Sequence, residues 1–440
     1  MSGPIVQDKR MNLVLVFDRT IFRKKAVRDF LAVITSEIAL RPIQFLKEFV
    51  VTKYLGPADY GLLKSIELIQ MLNKYGTLGF RPAAAREIGD AIGKGDERKE
   101  NLVRNTAYSS EIILSCILFC VGLGVSLFFE PPTSILVILA SAGLLAGKLR
   151  GVLNTEASVR KKFVLISKIS FVTSLIASII VILTVPFYKI YAVILMSFLT
   201  NILAIAFYLK NLRCGYTFKI DKKEFKRILG ISFPLMAGTV SQGFFKYAER
   251  LIVMGMLGTV ALGFYGFAFM IVNQFTVLFK AAIRVRTQDI YEATGRNQFL
   301  RVHKMVVRET ALLICGAVVL VPIMWILIGY LIPLLLPKWK DGIFAAQLSL
   351  LGLPLQVFHN YAGVVLQSSL VNKQKMIPVS WALSSIVLLL GAFSLSYFRA
   401  MTLENFIIIN VLAYSVFGLS IIFFYMKNFH KVYIKSNLVK

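Results

Sequence analysis

Four apolar stretches of this sequence carry charged side chains at helical spacing, and these are the residues equipped for chemistry. In the first, Glu37, Arg41, Gln44 and Glu48 recur at intervals of four, three and four, with Lys47 beside them. The second holds Lys64, Glu67, Gln70 and Lys74; the third Gln242, Lys246, Glu249 and Arg250; the fourth Asn273, Lys280 and Arg284. Steps of three and four put side chains on one face of a helix. An ionisable group at the middle of a bilayer costs about 2.5–3.5 kcal/mol even on insertion scales, so each needs a partner, water or a task. Two uses follow. The charges can lock helices together as salt bridges, the reading that best suits Glu37 with Arg41 and Glu249 with its neighbours. Alternatively, the stripes line a shared cavity, where Arg and Lys bind phosphate through charge-assisted hydrogen bonds. Eight cations (Arg41, Lys47, Lys64, Lys74, Lys246, Arg250, Lys280, Arg284) stand against Glu37, Glu48, Glu67 and Glu249. The surplus favours an anionic cargo.

The elements that position these residues are read from hydropathy. The chain has 440 residues, 57% of them hydrophobic, more apolar surface than a water-soluble fold hides. Apolar segments of spanning length fall at 29–54, 59–80, 105–129, 134–154, 164–186, 190–209, 228–256, 261–282, 308–336, 343–368, 377–396 and 403–426. Each approaches the roughly 20 residues that a transmembrane helix needs. The expected fold is therefore an all-α polytopic membrane protein of twelve transmembrane helices. Net charge is +27, which in a soluble protein would suggest nucleic acid. Its distribution says otherwise: 39 of the 50 Lys and Arg fall in the termini and alternate loops, and only five in the opposite connections. That asymmetry orients both termini toward the cytoplasm, with the basic face against anionic lipids, and nucleic acid is excluded as a partner. The first 28 residues are basic, without an adjoining short apolar core and cleavage site, so the first span is expected to remain in the mature protein. Cys116, Cys120, Cys214 and Cys315 show no metal or redox spacing and read as small core hydrophobes. No metal, cofactor or catalytic residue is expected. His359, alone in its span, reads as a packing residue.

The chain also repeats itself. Lys47-Glu48 precedes Leu55-Gly56, and Tyr60-Gly61 follows; Glu249-Arg250 precedes Leu257-Gly258, and Tyr265-Gly266 follows. The next loops correspond too, Arg86-Glu87-Ile88-Gly89-Asp90 with Gln288-Asp289-Ile290-Tyr291-Glu292. Two halves of equal parity are related by an axis along the membrane normal, and the substrate site lies between them. The expected organisation is a cytoplasmic segment 1–28, six-helix bundles at 29–215 and 216–426 around a central cavity, and a cytoplasmic tail 427–440.

The run from Tyr247 through Glu249-Arg250 and Leu257-Gly258 to Tyr265-Gly266 resembles the seventh-to-eighth span signature of polysaccharide flippases. Leu55-Gly56-Pro57-Ala58-Asp59-Tyr60-Gly61 and Thr77-Leu78-Gly79-Phe80-Arg81 are similar to the same family. The resemblance is to the O-antigen and capsule flippases (Wzx type) of the multidrug, oligosaccharidyl-lipid and polysaccharide exporter superfamily, and spans nearly the whole chain. Glu249 departs from it, standing where many relatives place Asp. The resemblance implies an alternating-access transporter of a polyprenyl-pyrophosphate-linked oligosaccharide, working with glycan polymerase or ligase machinery. Glu37, Glu48 and Glu249 are the carboxylates available for ion coupling. A polytopic enzyme on lipid-linked sugars is the alternative of another class, but the outer connections are too short for a catalytic loop. A multidrug exporter would want an acidic cavity, and lipid II flippases usually carry fourteen spans.

Overall fold

The computed structural model describes residues 25–76, 79–212, 215–295, 298–367, 373 and 375–437. Among them it is helical throughout, without strands. The helices are α1 (Lys25–Tyr54), α2 (Pro57–Gly76), α3 (Phe80–Lys94), α4 (Glu97–Ser126), α5 (Thr133–Val159) and α6 (Phe163–Asn211), then α7 (Lys222–Gly295), α8 (Phe299–Leu335), α9 (Ile343–Val357), α10 (Asn360–Gln367), α11 (Met376–Tyr397) and α12 (Leu403–Asn437). A 3₁₀ turn, Pro337–Gly342, joins α8 to α9.

Two of these helices each cross twice. The backbone of α6 reverses at Lys189 (φ 46, ψ −125) and that of α7 at Gly258 (φ 86, ψ 179). The latter conformation is open almost only to glycine, which explains Gly258, whereas Gly56 of the first half is not in the positive-φ region. Span ten is broken into α9 and α10. Eight helical stretches are long and apolar enough to cross a membrane by hydropathy alone, and α6 and α7 each supply two crossings within one stretch. The remaining two crossings, α1 and α2, carry the charged stripes and face the interior, so they need not be uniformly apolar.

The helices form two lobes. In the first, α6 packs on α1 and α5, and α4 on α5; in the second, α9 and α11 pack on α7 and α12. The stretch 81–104, expected to be a loop, instead contains α3. Asp96 caps the following helix, its carboxylate accepting from the Lys99 amide at 2.9 Å, and this sharp restart makes 80–94 a separate amphipathic element. The first turns of α7 dock on it: Ile228 is buried with Phe80, Ile88 and Tyr108, and Arg227 Nη1 reaches Glu87 at 2.7 Å.

The lobes meet tightly at the opposite end. A Cβ on Gly61 would stand 1.8 Å from the Thr259 carbonyl oxygen, and one on Gly263 would stand 2.0 Å from that of Pro57. The contact is reciprocal, as a two-fold repeat demands, and possible only because both residues lack side chains. Trp339 plugs this seam, fully buried; its indole N–H donates to the Thr52 carbonyl at 2.9 Å, and Tyr60, Phe264 and Phe267 surround its ring.

One expectation about packing is overturned. Cys116, Cys120 and Cys315 are exposed rather than in the core. In a protein solvated by lipid the outer helix faces are as apolar as the interior, so hydropathy does not separate the two. Cys214 lies outside the described residues.

Candidate functional site

The seam opens midway into a cavity of ≈ 370 Å³ between α1 and α2 of one lobe and α7 of the other. Arg41, Lys47, Lys64 and Arg250 line it, with Glu48 and Glu67 as its two carboxylates. Gln44, Asn273 and Gln274 complete the polar wall, and Tyr60, Phe269 and Met270 the apolar one. The four cations come from three helices, placed by the three-and-four spacing of α1 and α2 and by the single inward turn of α7 at Arg250.

Three ion pairs partly satisfy these charges. Lys47 Nζ lies 3.0 Å from Glu48, Lys64 Nζ 2.6 Å from Glu67, and Arg250 Nη1 3.5 Å from the other oxygen of Glu67. Glu67 thus holds one cation from each lobe. Four cations against two carboxylates leave a positive surplus. Lys280, exposed farther along α7, is near enough to Arg41 for the two like charges to repel each other.

A second chamber of ≈ 300 Å³ adjoins the first through Gln44, Lys47, Glu48 and Glu67, which line both. It runs between α1, α2 and the two arms of α6, and Arg150 of α5 closes it, donating to Asn201 Oδ1 at 3.3 Å. On the other flank, an apolar groove of ≈ 190 Å³ between α1, α7 and α8 shares Glu48, Met270 and Gln274 with its own neighbour, the charged cavity or its edge. Phe45, Leu327 and Leu331 on its walls are exposed, so it opens sideways toward lipid.

Not every expected residue faces the cavity. Glu249, grouped by sequence with the cavity stripe, is only 4% exposed and turned into the second lobe. There it accepts from Asn410 Nδ2 at 2.8 Å, and the same nitrogen contacts the Tyr265 hydroxyl at 3.2 Å. Consecutive residues of a helix point about 100° apart (3.6 per turn), and in α7 that turn carries Glu249 into the second lobe while Arg250 lines the cavity. Lys246 is half-buried on the Glu249 side and interacts with that carboxylate. Lys148 stands in the first lobe beside Glu111, whose carboxylate lies 2.8 Å from Arg81 Nε. Glu37, Lys74 and Arg284 lie outside the residues whose side chains are described. His359 packs edge-on against Phe417, at 4.7 Å between ring centres. Glu67, Arg150 and Asn201 were not singled out as site residues; Glu67 was visible as part of its stripe, whereas Asn201 carried no signal.

Comparison with known proteins completes the picture. A family model described as polysaccharide biosynthesis protein matches residues 26–287. Among solved structures, the fold is similar to a multidrug resistance MATE family transporter of the MOP superfamily in its inward-facing conformation, with a TM-score of 0.74 and 13% identity over 90% of this chain and 96% of that one. An outward-facing structure of such a transporter gives a TM-score of 0.59 at 14% identity, covering 94% and 98%. A MOP superfamily transporter from Pyrococcus furiosus, described as having a binding pocket of reverse polarity that suggests a different function, gives 0.62 at 13% identity, covering 94% and 98%. No curated protein matches the sequence. With more than half its length matched by the family model, the chain belongs to the polysaccharide biosynthesis protein family, and its fold is the one these transporters share.

Proposed function

We propose that this protein is a membrane transporter of the MOP superfamily and acts as a flippase, moving a polyprenyl-pyrophosphate-linked oligosaccharide from the cytoplasmic to the outer leaflet for surface polysaccharide assembly. The observation that carries the reading is the cationic surplus of the cavity between the lobes: Arg41, Lys47, Lys64 and Arg250 against Glu48 and Glu67. A diphosphate supplies the missing negative charge, and guanidinium groups bind it with a bidentate fork. A cationic drug would be repelled there. The lateral groove lets a polyprenyl chain stay in lipid while its headgroup enters.

The charge asymmetry of the loops supports an orientation with the α3 end in the cytoplasm, the protein in the inner membrane and both termini on that side. The Gly61–Gly263 seam then closes the outer face, and transport exchanges that closure for one at the cytoplasmic face. Anionic lipids meet the basic end, and glycan polymerase or ligase machinery takes the product outside. Glu48 and Glu249 are the carboxylates available to couple this cycle to an ion gradient.

The test is complementation of a deletion in the native host with a triple variant, Arg41→Gln, Lys47→Gln and Arg250→Gln. Lipid-linked repeat units are expected to accumulate facing the cytoplasm while the purified variant keeps the wild-type melting temperature. Export at the wild-type level would refute the cationic-cavity reading.

A further inference from the structure

Another groove lies away from the lobe seam, where the first turns of α8 approach the later turns of α12. Its volume is ≈ 600 Å³; Leu300, Phe423 and Met426 give it apolar walls, and His303, Tyr425 and Lys427 are its polar members. Both helix ends belong to the basic side of the chain. His303 lies in the stretch 280–308, and Lys427 opens the basic tail. They stand just beyond the apolar spans 308–336 and 403–426, so the groove sits at a boundary between bilayer and water.

The polar members are held in place. The His303 ring stacks on Phe429 at 5.5 Å between centres and on Tyr425 at 6.2 Å, and its Nδ1 lies 3.0 Å from the Tyr425 hydroxyl. That hydrogen bond occupies Nδ1 and leaves Nε2 to serve a ligand. Lys427 Nζ stands 5.7 Å from the centre of the Phe423 ring. On α8, Leu300, His303 and Val307 follow one another at steps of three and four, and so do Arg301, Lys304 and Arg308 on the neighbouring face. All six are exposed. From 298 to 310 and from 420 to 429 the one acidic residue is Glu309, buried and bonded to Arg308 at 2.6 Å. The groove therefore has a cationic rim.

Apolar walls beneath a cationic rim, at a membrane boundary, suit a molecule with an acyl chain and an anionic headgroup. A zwitterionic lipid would satisfy the walls but bring no net charge to the rim. The chain's own continuation, 430–440, holds Lys431, Lys435 and Lys440 without an Asp or Glu, and would add like charge to it. We propose that this groove binds an anionic phospholipid, with one acyl chain along Leu300, Phe423 and Met426 and the phosphodiester held by His303 Nε2 and Lys427 Nζ. Hydrogen bonds to such a phosphate are charge-assisted. The site lies within the second lobe, apart from the cavity between the lobes, and does not depend on the cargo carried there.

The test reads quenching of a tryptophan placed in the groove, Met426→Trp, in full-length protein carrying Trp325→Phe and Trp381→Phe, in phosphatidylcholine nanodiscs. The same protein without Met426→Trp gives the background from buried Trp339. Brominated phosphatidylglycerol is expected to quench at a lower mole fraction than brominated phosphatidylcholine. Lys427→Gln should raise the fraction of anionic lipid required by about fivefold, His303→Gln should raise it too, and Lys427→Arg should restore it. Lys222→Gln, at an exposed cation where α7 begins, should change nothing. Unchanged melting temperatures verify that each variant is folded. Equal quenching by the two lipids overturns the proposal and reduces the groove to an acyl-chain contact. A preference that survives Lys427→Gln combined with His303→Gln, or that Lys222→Gln lowers equally, also overturns it, since diffuse surface charge would then be responsible. Absence of quenching by either lipid overturns it as well, and would mean that the tail or a second copy covers the groove.

Discussion

The two halves of the chain offer the same charged pair at the same distance from a Leu-Gly turn and put it to different uses. Lys47-Glu48 and Glu249-Arg250 align when Leu55-Gly56 is laid on Leu257-Gly258. In the first half both side chains line the cavity, 27% and 30% exposed and paired at 3.0 Å. In the second, Arg250 lines the cavity while Glu249 is buried in its own lobe against Asn410. The repeat thus governs backbone placement, and the reversed order of charges governs chemistry. It removes one carboxylate from the cavity wall and leaves a cation in its place. The same symmetry reappears unaltered at the seam between the lobes, where Gly61 and Gly263 meet reciprocally. Where the task is closure, the halves stay alike; where it is binding, they diverge.

The largest expected effect breaks the symmetric part of this comparison. Gly263→Val puts a branched side chain against the Pro57 carbonyl, and overpacking of this kind costs about 1–3 kcal/mol. Because the contact exists only with the seam closed, that cost shifts the conformational balance by about fivefold to 150-fold. Iodide quenching of Trp339, measured with Trp325 and Trp381 replaced by Phe, should rise sharply; unchanged quenching would show that the seam is not the closing contact.

A smaller effect sharpens the divergent part. Glu249→Leu removes the shorter of the two bonds that the Asn410 amide donates, leaving it only the Tyr265 hydroxyl, and should destabilise the protein by about 1–3 kcal/mol. Glu249→Gln keeps an acceptor and should cost less. Glu48→Gln, at the water-accessible site, should scarcely move the melting temperature. If Glu48→Gln proves the more destabilising of the two, the assignment of Glu249 to architecture and Glu48 to the cavity is reversed.

The smallest effect comes from a pair outside both regions. On the exposed face of α3, hydrogen bonding from Lys94 at 2.8 Å holds the Asp90 carboxyl below its usual range. Its contribution is present above the unfolded-state pKa of Asp, about 4, and disappears as pH falls through the lower folded value. Fully exposed pairs are strongly screened. Lys94→Ala should therefore leave thermal melts superimposable on wild type at pH 7 and at pH 3, and a pH-dependent difference would mark α3 as more tightly docked than its exposure indicates.

Hydropathy and the spacing of charges made most of the architecture legible. Twelve spans, the repeat and the outer turn at Gly258 are all local properties: apolar run length, a three-and-four period, and a glycine where only glycine fits. The helix at 80–94 was not visible as a separate element because its apolar face, including Phe80, Ala84 and Ile88, is short and interleaved with Arg86, Glu87 and Asp90. Cys116 and Cys120 were misplaced because lipid and protein interior are equivalent to a hydropathy scale.

By itself, the sequence determined that the chain lives in a bilayer, how often it crosses, that its halves are related, and that cations outnumber carboxylates within its spans. Only the tertiary structure decided which charges share a space. Adjacent Glu249 and Arg250 part company because the packing of the second lobe buries one against Asn410 while the other reaches the cavity, and Glu67 gathers a cation from each lobe only once α2 and α7 are packed together. The α6 hydroxyls became a chamber wall in the same way, because two arms of one helix, folded back at Lys189, bring Ser178 and Ser197 to one side of a cavity that no sequence interval encodes.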